Sequence, residues 1–163
     1  MILLGASVIS DVLRPSPAPE VVASLNGGFA KAAISRFTIF ELEACVGLLA
    51  PGRSRGAPEI AVARSMRQFG GRVSAFDAAA AQAAMRLLVE ARGQGLGLDQ
   101  IPSKVVDVQV AGNAAAEGLD LATPKFGNPA GLGLALDDPW RAIDLRSDIS
   151  TPGGGSTASL SRS

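Results

Sequence analysis

Hydrophobic positions along the chain alternate between short continuous runs and helical periods. Residues 2–9, Ile-Leu-Leu-Gly-Ala-Ser-Val-Ile, form an apolar run too brief for a buried helix. A run of this kind suits a central parallel strand and its C-terminal end. The proline-rich stretch 14–19 is a turn, and residues 20–25 read as a short helix that Gly27-Gly28 stops. A second strand is predicted at 32–35. From Thr38 a helical period carries Leu42, Cys45, Val46 and Leu49 until Pro51-Gly52 ends it. Residues 53–72 predict another helix, broken at Gly70-Gly71, and 73–76 a third strand. Asp77 caps a long alanine-rich helix that runs to about Arg92, and Ser103 caps a further helix through Glu117. After the Gly118 stop, strands are predicted at 119–122 and 132–136.

Strands alternating with helices argue a single α/β domain over residues 1–140, with a mostly parallel central sheet. Residues 141–163 are a C-terminal extension. From Ser150 its Gly, Ser and Thr residues offer almost nothing to bury, so disorder is expected there.

Composition narrows the chemistry. The chain of 163 residues is 47% hydrophobic, enough for a real core, and fifteen basic residues balance fifteen acidic ones. No whole-molecule field draws it to nucleic acid or anionic lipid, so any polyanion site must be local. The segment 53–72 is the one basic stretch. It reads first as a solvated helix face and second as a phosphate contact. His and Tyr are absent, which excludes Ser-His-Asp and Cys-His catalysis, His-ligated zinc and tyrosine chemistry. Carboxylate, Lys, Ser/Thr or lone-thiol chemistry remains. Cys45, between Ala44 and Val46, reads as a small core hydrophobe. Met-Ile-Leu-Leu lacks the basic region and long apolar run of a signal peptide. No stretch reaches about 18 uninterrupted apolar residues. A cytoplasmic setting without a membrane span is therefore expected. Gly93-x-Gly95 follows a helix, so it lacks the strand-to-helix context of a nucleotide fingerprint.

A series of motifs then runs in order. Met1-Ile2-Leu3-Leu4 leads to Val8-Ile9-Ser10-Asp11-Val12-Leu13-Arg14-Pro15, then to Ile39-Phe40-Glu41-Leu42, and to Gly71-Arg72-Val73 with Phe76-Asp77. Asp107 with Val110-Ala111 follows, then Leu121-Ala122-Thr123, and Gly131-Leu132-Gly133-Leu134 before Asp138-Pro139-Trp140. Each motif alone is common. In this order and spacing they resemble a PIN domain of the VapC-like, FitB-like toxin type.

The resemblance implies a three-layer α/β/α sandwich with acidic residues gathered at the carboxyl ends of parallel strands. It also implies RNA cleavage with Mg2+ or Mn2+. Such a cation needs one or two carboxylates plus waters and substrate phosphate, and no His. Carried over residue by residue, the resemblance makes Glu41 and Asp107 metal ligands, and Ser7 and Thr123 hydroxyls that orient water. Two acidic positions depart from the pattern. Gly5 stands where the family has the first Asp, with Ser7 in place of an Asn, and Lys125 stands where the family has the fourth acid. The expectation is a weakly held or lost metal and weakened or lost RNA cleavage. The alternative is a catalytically inactive PIN-fold module that keeps its partner contacts. An unrelated α/β ligand-binding domain would be favoured if Glu41 and Asp107 lay far apart. Implied partners are an RNA substrate, a small antitoxin protein and a second copy of the chain in a homodimer. Phe37, Phe40, Leu48, Ile60 and Met66 are apolar candidates for the partner groove.

Each retained carboxylate also has a plainer reading. Thr38 and Glu41 have the spacing of a capping box. Asp107, among valines near a helix start, could pair with Lys104 as an ordinary surface bridge. An acid on an otherwise apolar helix still needs a polar destination, which favours a pocket.

Overall fold

The computed structural model describes residues 1–26, 29–95, 97–124 and 134–140. The expected disorder after Ser150 and the position of Lys125 both lie outside these residues. Five strands form one parallel sheet in the order β3-β2-β1-β4-β5. They are β1 (Ile2–Leu4), β2 (Ala32–Ser35), β3 (Val73–Ser74), β4 (Asp120–Ala122) and β5 (Leu136–Asp137). Six α-helices connect or flank them: α1 (Ala6–Val12), α2 (Pro19–Asn26), α3 (Arg36–Gly47), α4 (Arg53–Phe69), α5 (Ala78–Gly93) and α6 (Ile101–Glu117).

The strands are apolar on both sides because helices cover both faces of the sheet. Side chains of a strand alternate between faces, and the core divides accordingly. Leu3, Ala33 and Leu121 pack with Ala84, Leu87, Val108, Val110, Ala111 and Ala114 of α5 and α6. Their neighbours Leu4, Ala32, Ile34 and Ala122 pack with Val8, Ile9, Val21, Leu42, Val62 and Phe69 on the other face. The result is the three-layer sandwich expected from the sequence.

Helix α5 buries Ala80, Ala83, Ala84 and Leu87, a helical stripe made almost wholly of small residues. It lies against α6 so closely that a Cβ on Gly112 would come within 2.6 Å of the Ala80 carbonyl oxygen and of the Ala84 Cβ. Asp77 caps α5 as the sequence predicts, its Oδ1 accepting from the Ala80 N–H at 2.9 Å. Gly118 ends α6 in the left-handed conformation, φ 64°, where a side chain would be strained.

Four expectations are corrected. The apolar run 2–9 is a strand only to Leu4 and turns into α1 at Ala6. Helix α3 begins before Thr38: Ser35 is its N-cap and accepts from the Thr38 N–H at 3.0 Å. Helix α6 starts at Ile101, so Ser103 lies inside its first turn. Cys45 is exposed, on the outer side of α3.

Candidate functional site

The strand order places a switch point at β1. From β1 the chain steps outward to β2 and β3, then returns to the opposite side of β1 to form β4. Ligands of open α/β sheets bind beyond the carboxyl ends of the strands at such a point. The sequence positions singled out for chemistry fall there. Gly5 follows β1 and is the N-cap of α1, Ser7 lies in the first turn of α1, and Thr123 follows β4. Glu41 descends from α3 and Asp107 from α6. Together with Ala6, Val110 and Leu121 these residues line one cleft. Its open space is small, about 20 Å3. A single water needs about 10–15 Å3, so the space has room for an occupant of about that size.

Local structure explains how the pieces meet. The Gly5 N–H continues the sheet by donating to the Ala122 carbonyl at 3.0 Å, which holds the ends of β1 and β4 together. The buried Thr38 hydroxyl donates to the Leu4 carbonyl at 3.2 Å, tying α3 to the end of β1 one turn before Glu41. A hydroxyl carries one hydrogen, so the Ser35 hydroxyl, 3.2 Å away, donates to Thr38 in turn. Thr38 is thus a bridge between elements, and Ser35 takes the capping role. Glu41 is not the third residue of the helix, and the capping-box reading does not hold.

Asp107 faces two ways. It lines the cleft, and its Oδ2 lies 3.8 Å from Lys104 Nζ one turn earlier on α6. The walls Val110 and Leu121 belong to the motifs quoted from the sequence but carried no site role there. Their signal was present in the periods that carry them, one helical turn from Asp107 and two strand residues from Thr123.

The one fully buried carboxylate among the described residues has a structural role. Asp11 is 5% exposed, accepts from the Ala18 N–H at 2.9 Å and from Arg14 at 3.2 Å, and so closes the proline-rich turn between α1 and α2. At the neighbouring sheet edge, the Thr123 N–H donates to the Asp137 carbonyl at 3.0 Å. Burial, and then the charges of Asp138 and Asp120, push the Asp137 carboxyl above its usual value of 3.8. A larger cleft of about 390 Å3 opens at the opposite end of β4, among Arg86, Glu90, Leu119 and Asp120. It lacks the switch-point position and the convergent hydroxyls. Among the described residues no helix is long and apolar enough to cross a membrane.

A three-layer sandwich with acidic and hydroxyl side chains from α1, α3, α6 and the end of β4 at the switch point of its sheet defines a PIN-type α/β domain. No family model matches the chain. It is similar to the toxin FitB of Neisseria gonorrhoeae, with 31% identity over 144 residues that make up 86% of this chain and 99% of that protein. It is also 29% identical over 144 residues to the plasmid stability protein StbB of Pseudomonas syringae pv. tomato, covering 87% of this chain and 100% of that one. Among solved structures, FitAB bound to an IR36 DNA fragment superposes with a TM-score of 0.75 at 28% identity, over 86% of this chain and 96% of the other. The chain belongs to the FitB/VapC-like family of PIN-domain toxins.

Proposed function

We propose that the chain is a toxin-type endoribonuclease of reduced turnover, acting on RNA with Mg2+ or Mn2+ at the switch-point cleft. One observation carries this reading: Glu41, Asp107, Ser7 and Thr123, chosen from the sequence for metal-dependent hydrolysis, line the same cleft. The donor set fits a hard cation, since it is all oxygen and includes two carboxylates. A Cβ built at Gly5 would lie 3.5 Å from Thr123 Oγ1, beside the cleft, and 3.2 Å from the Ala122 carbonyl oxygen, a tight approach at which the end of β4 must give by a few tenths of an ångström.

When bound, the cation lowers the pKa of a water and neutralises charge on the phosphate. Glu41 and Asp107 would hold it, while the Ser7 and Thr123 hydroxyls orient water and a phosphate oxygen. Reduced turnover follows from the donor count. Among the described residues no three acidic, His or Cys side chains come together around one point. Loss of transition-state charge stabilisation costs about two to three powers of ten per group.

The partner is a small antitoxin, and the working unit a homodimer in the cytoplasm. Phe40 on α3, Leu48 at its C-cap and Ile60 on α4 are 61%, 88% and 69% exposed, which suits a partner groove. Phe37 and Met66 leave that groove. Phe37 stacks edge-on with Phe76 at 5.0 Å, and Met66 packs on the core.

The test is cleavage of labelled RNA in Mn2+. Glu41→Ala and Asp107→Ala each abolish the activity, and Gly5→Asp with Lys125→Asp raises it. If the doubly substituted protein cleaves no faster than the parent, these four positions do not form one site. If the parent and the restored protein are both inert yet bind an antitoxin, the chain is a binding module.

A further inference from the structure

We propose that Lys104 is the resident counter-ion of Asp107: it holds this carboxylate while the cleft is free of metal and competes with a divalent cation for it. The inference rests on the metal reading of the cleft. Lys104 Nζ lies 3.8 Å from Asp107 Oδ2, with side chains 44% and 22% exposed. The ammonium therefore approaches from the solvent side, while the carboxylate sits in the cleft wall.

That asymmetry sets the strength of the pair. An ion pair between two fully exposed groups is screened and worth little. A carboxylate that has lost part of its water responds more strongly to a neighbouring charge. The i, i+3 spacing on α6 puts the two side chains on one helix face, so the pairing is local and needs no other element.

Charge at the cleft then decides the competition. Among the described residues the cleft is lined by two carboxylates, Glu41 and Asp107, and Lys104 offsets the charge of Asp107. A dication arriving at Asp107 meets one formal charge less attraction than the same carboxylate would offer without the ammonium. It must displace the ammonium or bind beside it. The flexible Lys stem allows displacement, because its charge is a hydrated point with no fixed fork to break. Lys104 is in this sense a positioning residue: it acts through Asp107 and sets how readily that carboxylate is available.

The test is Mn2+ titration at low ionic strength, followed by the electron paramagnetic resonance signal of the free ion. It uses the full chain and the variants Lys104→Gln, Lys104→Met, Lys104→Arg, Asp107→Asn, and Lys104→Gln combined with Asp107→Asn. Removing one positive charge about 5 Å from a dication in a water-like dielectric tightens binding about tenfold. The Gln and Met variants should show this gain, the Arg variant should match the parent, and the gain should vanish when Asp107 is Asn. Thermal melting reports whether each variant is folded. Equal Mn2+ affinity across the Lys104 variants, or a gain that persists without Asp107, overturns the counter-ion role while leaving the metal site standing. Absence of Mn2+ binding in the parent and in every variant overturns the metal reading, and this inference with it.

Discussion

Substitution of Gly112 by Ala is the sharpest test of how the α6 side of the cleft is held. The new Cβ would meet the Ala80 carbonyl oxygen and the Ala84 Cβ at 2.6 Å each, and the Ala84 nitrogen at 2.8 Å. Carbon atoms settle about 3.5–4.0 Å from their non-bonded neighbours, so α5 and α6 must separate by about 1 Å. Overpacking of this kind costs about 1–3 kcal/mol, towards the upper end here because two of the three obstructions are backbone atoms that cannot rotate away. Replacing a mid-helix Gly returns about 1 kcal/mol of helix propensity. The net expectation is a loss of about 2 kcal/mol in urea denaturation followed by circular dichroism. Adding Ala84→Gly removes the Cβ clash but leaves the Ala80 carbonyl and the Ala84 nitrogen and gives up about 1 kcal/mol of helix propensity in α5, so little of the loss should return. Because α6 also carries Asp107, Gly112→Ala should weaken Mn2+ binding as well. An unchanged or increased stability would refute the close approach of the two helices.

Two further outcomes follow from the cleft's surroundings. Thr38→Val removes the side-chain donor to the buried Leu4 carbonyl and should cost about 1 kcal/mol, while Thr38→Ser, which keeps the hydroxyl, should cost less; a Val variant as stable as the parent in urea melts would mean that the hydroxyl contributes nothing. The Asp137 carboxyl is raised above 3.8 in the folded chain, so folding favours its protonated form. That contribution is fully present below the unfolded value and is lost as pH rises through the folded one. Asp137→Asn should therefore be more stable than the parent near neutral pH, with the difference shrinking as pH falls through the folded value toward 3.8. Paired melts at both ends of that range check the sign, and a stabilisation that grows on acidification would contradict it.

Much of the fold was legible because its punctuation is local. Asp77 and Gly118 mark the start of α5 and the end of α6 through chemistry that needs no distant partner. The elements that were misread lacked such marks. In the run 2–9 every position is apolar or small, so neither the strand nor the helical period shows, and only the closure of β1 against β2 and β4 decides that α1 begins at Ala6. Ser35 and Thr38 are both good caps one turn apart, and the choice between them was made by a tertiary bond from Thr38 to Leu4. Cys45 lies on an apolar helical period, yet the covered side of α3 is the one that carries Thr38 and Leu42.

The candidate site was legible as a set of residue types and as a resemblance. What the sequence lacked was the strand order, which brings the ends of β1 and β4 side by side and draws α3 and α6 over them. The pairing of Lys104 with Asp107 was readable from helical spacing alone. Its consequence for the charge of the cleft needed the knowledge that Asp107 also faces inward.

The most direct measurement of the central claim is anomalous diffraction from crystals soaked in Mn2+. A peak in the cleft between the carboxyl groups of Glu41 and Asp107, with Ser7 and Thr123 at its edge, is the predicted result. Ordered cleft side chains with no peak at that position, or a peak bound elsewhere by other carboxylates, would contradict it.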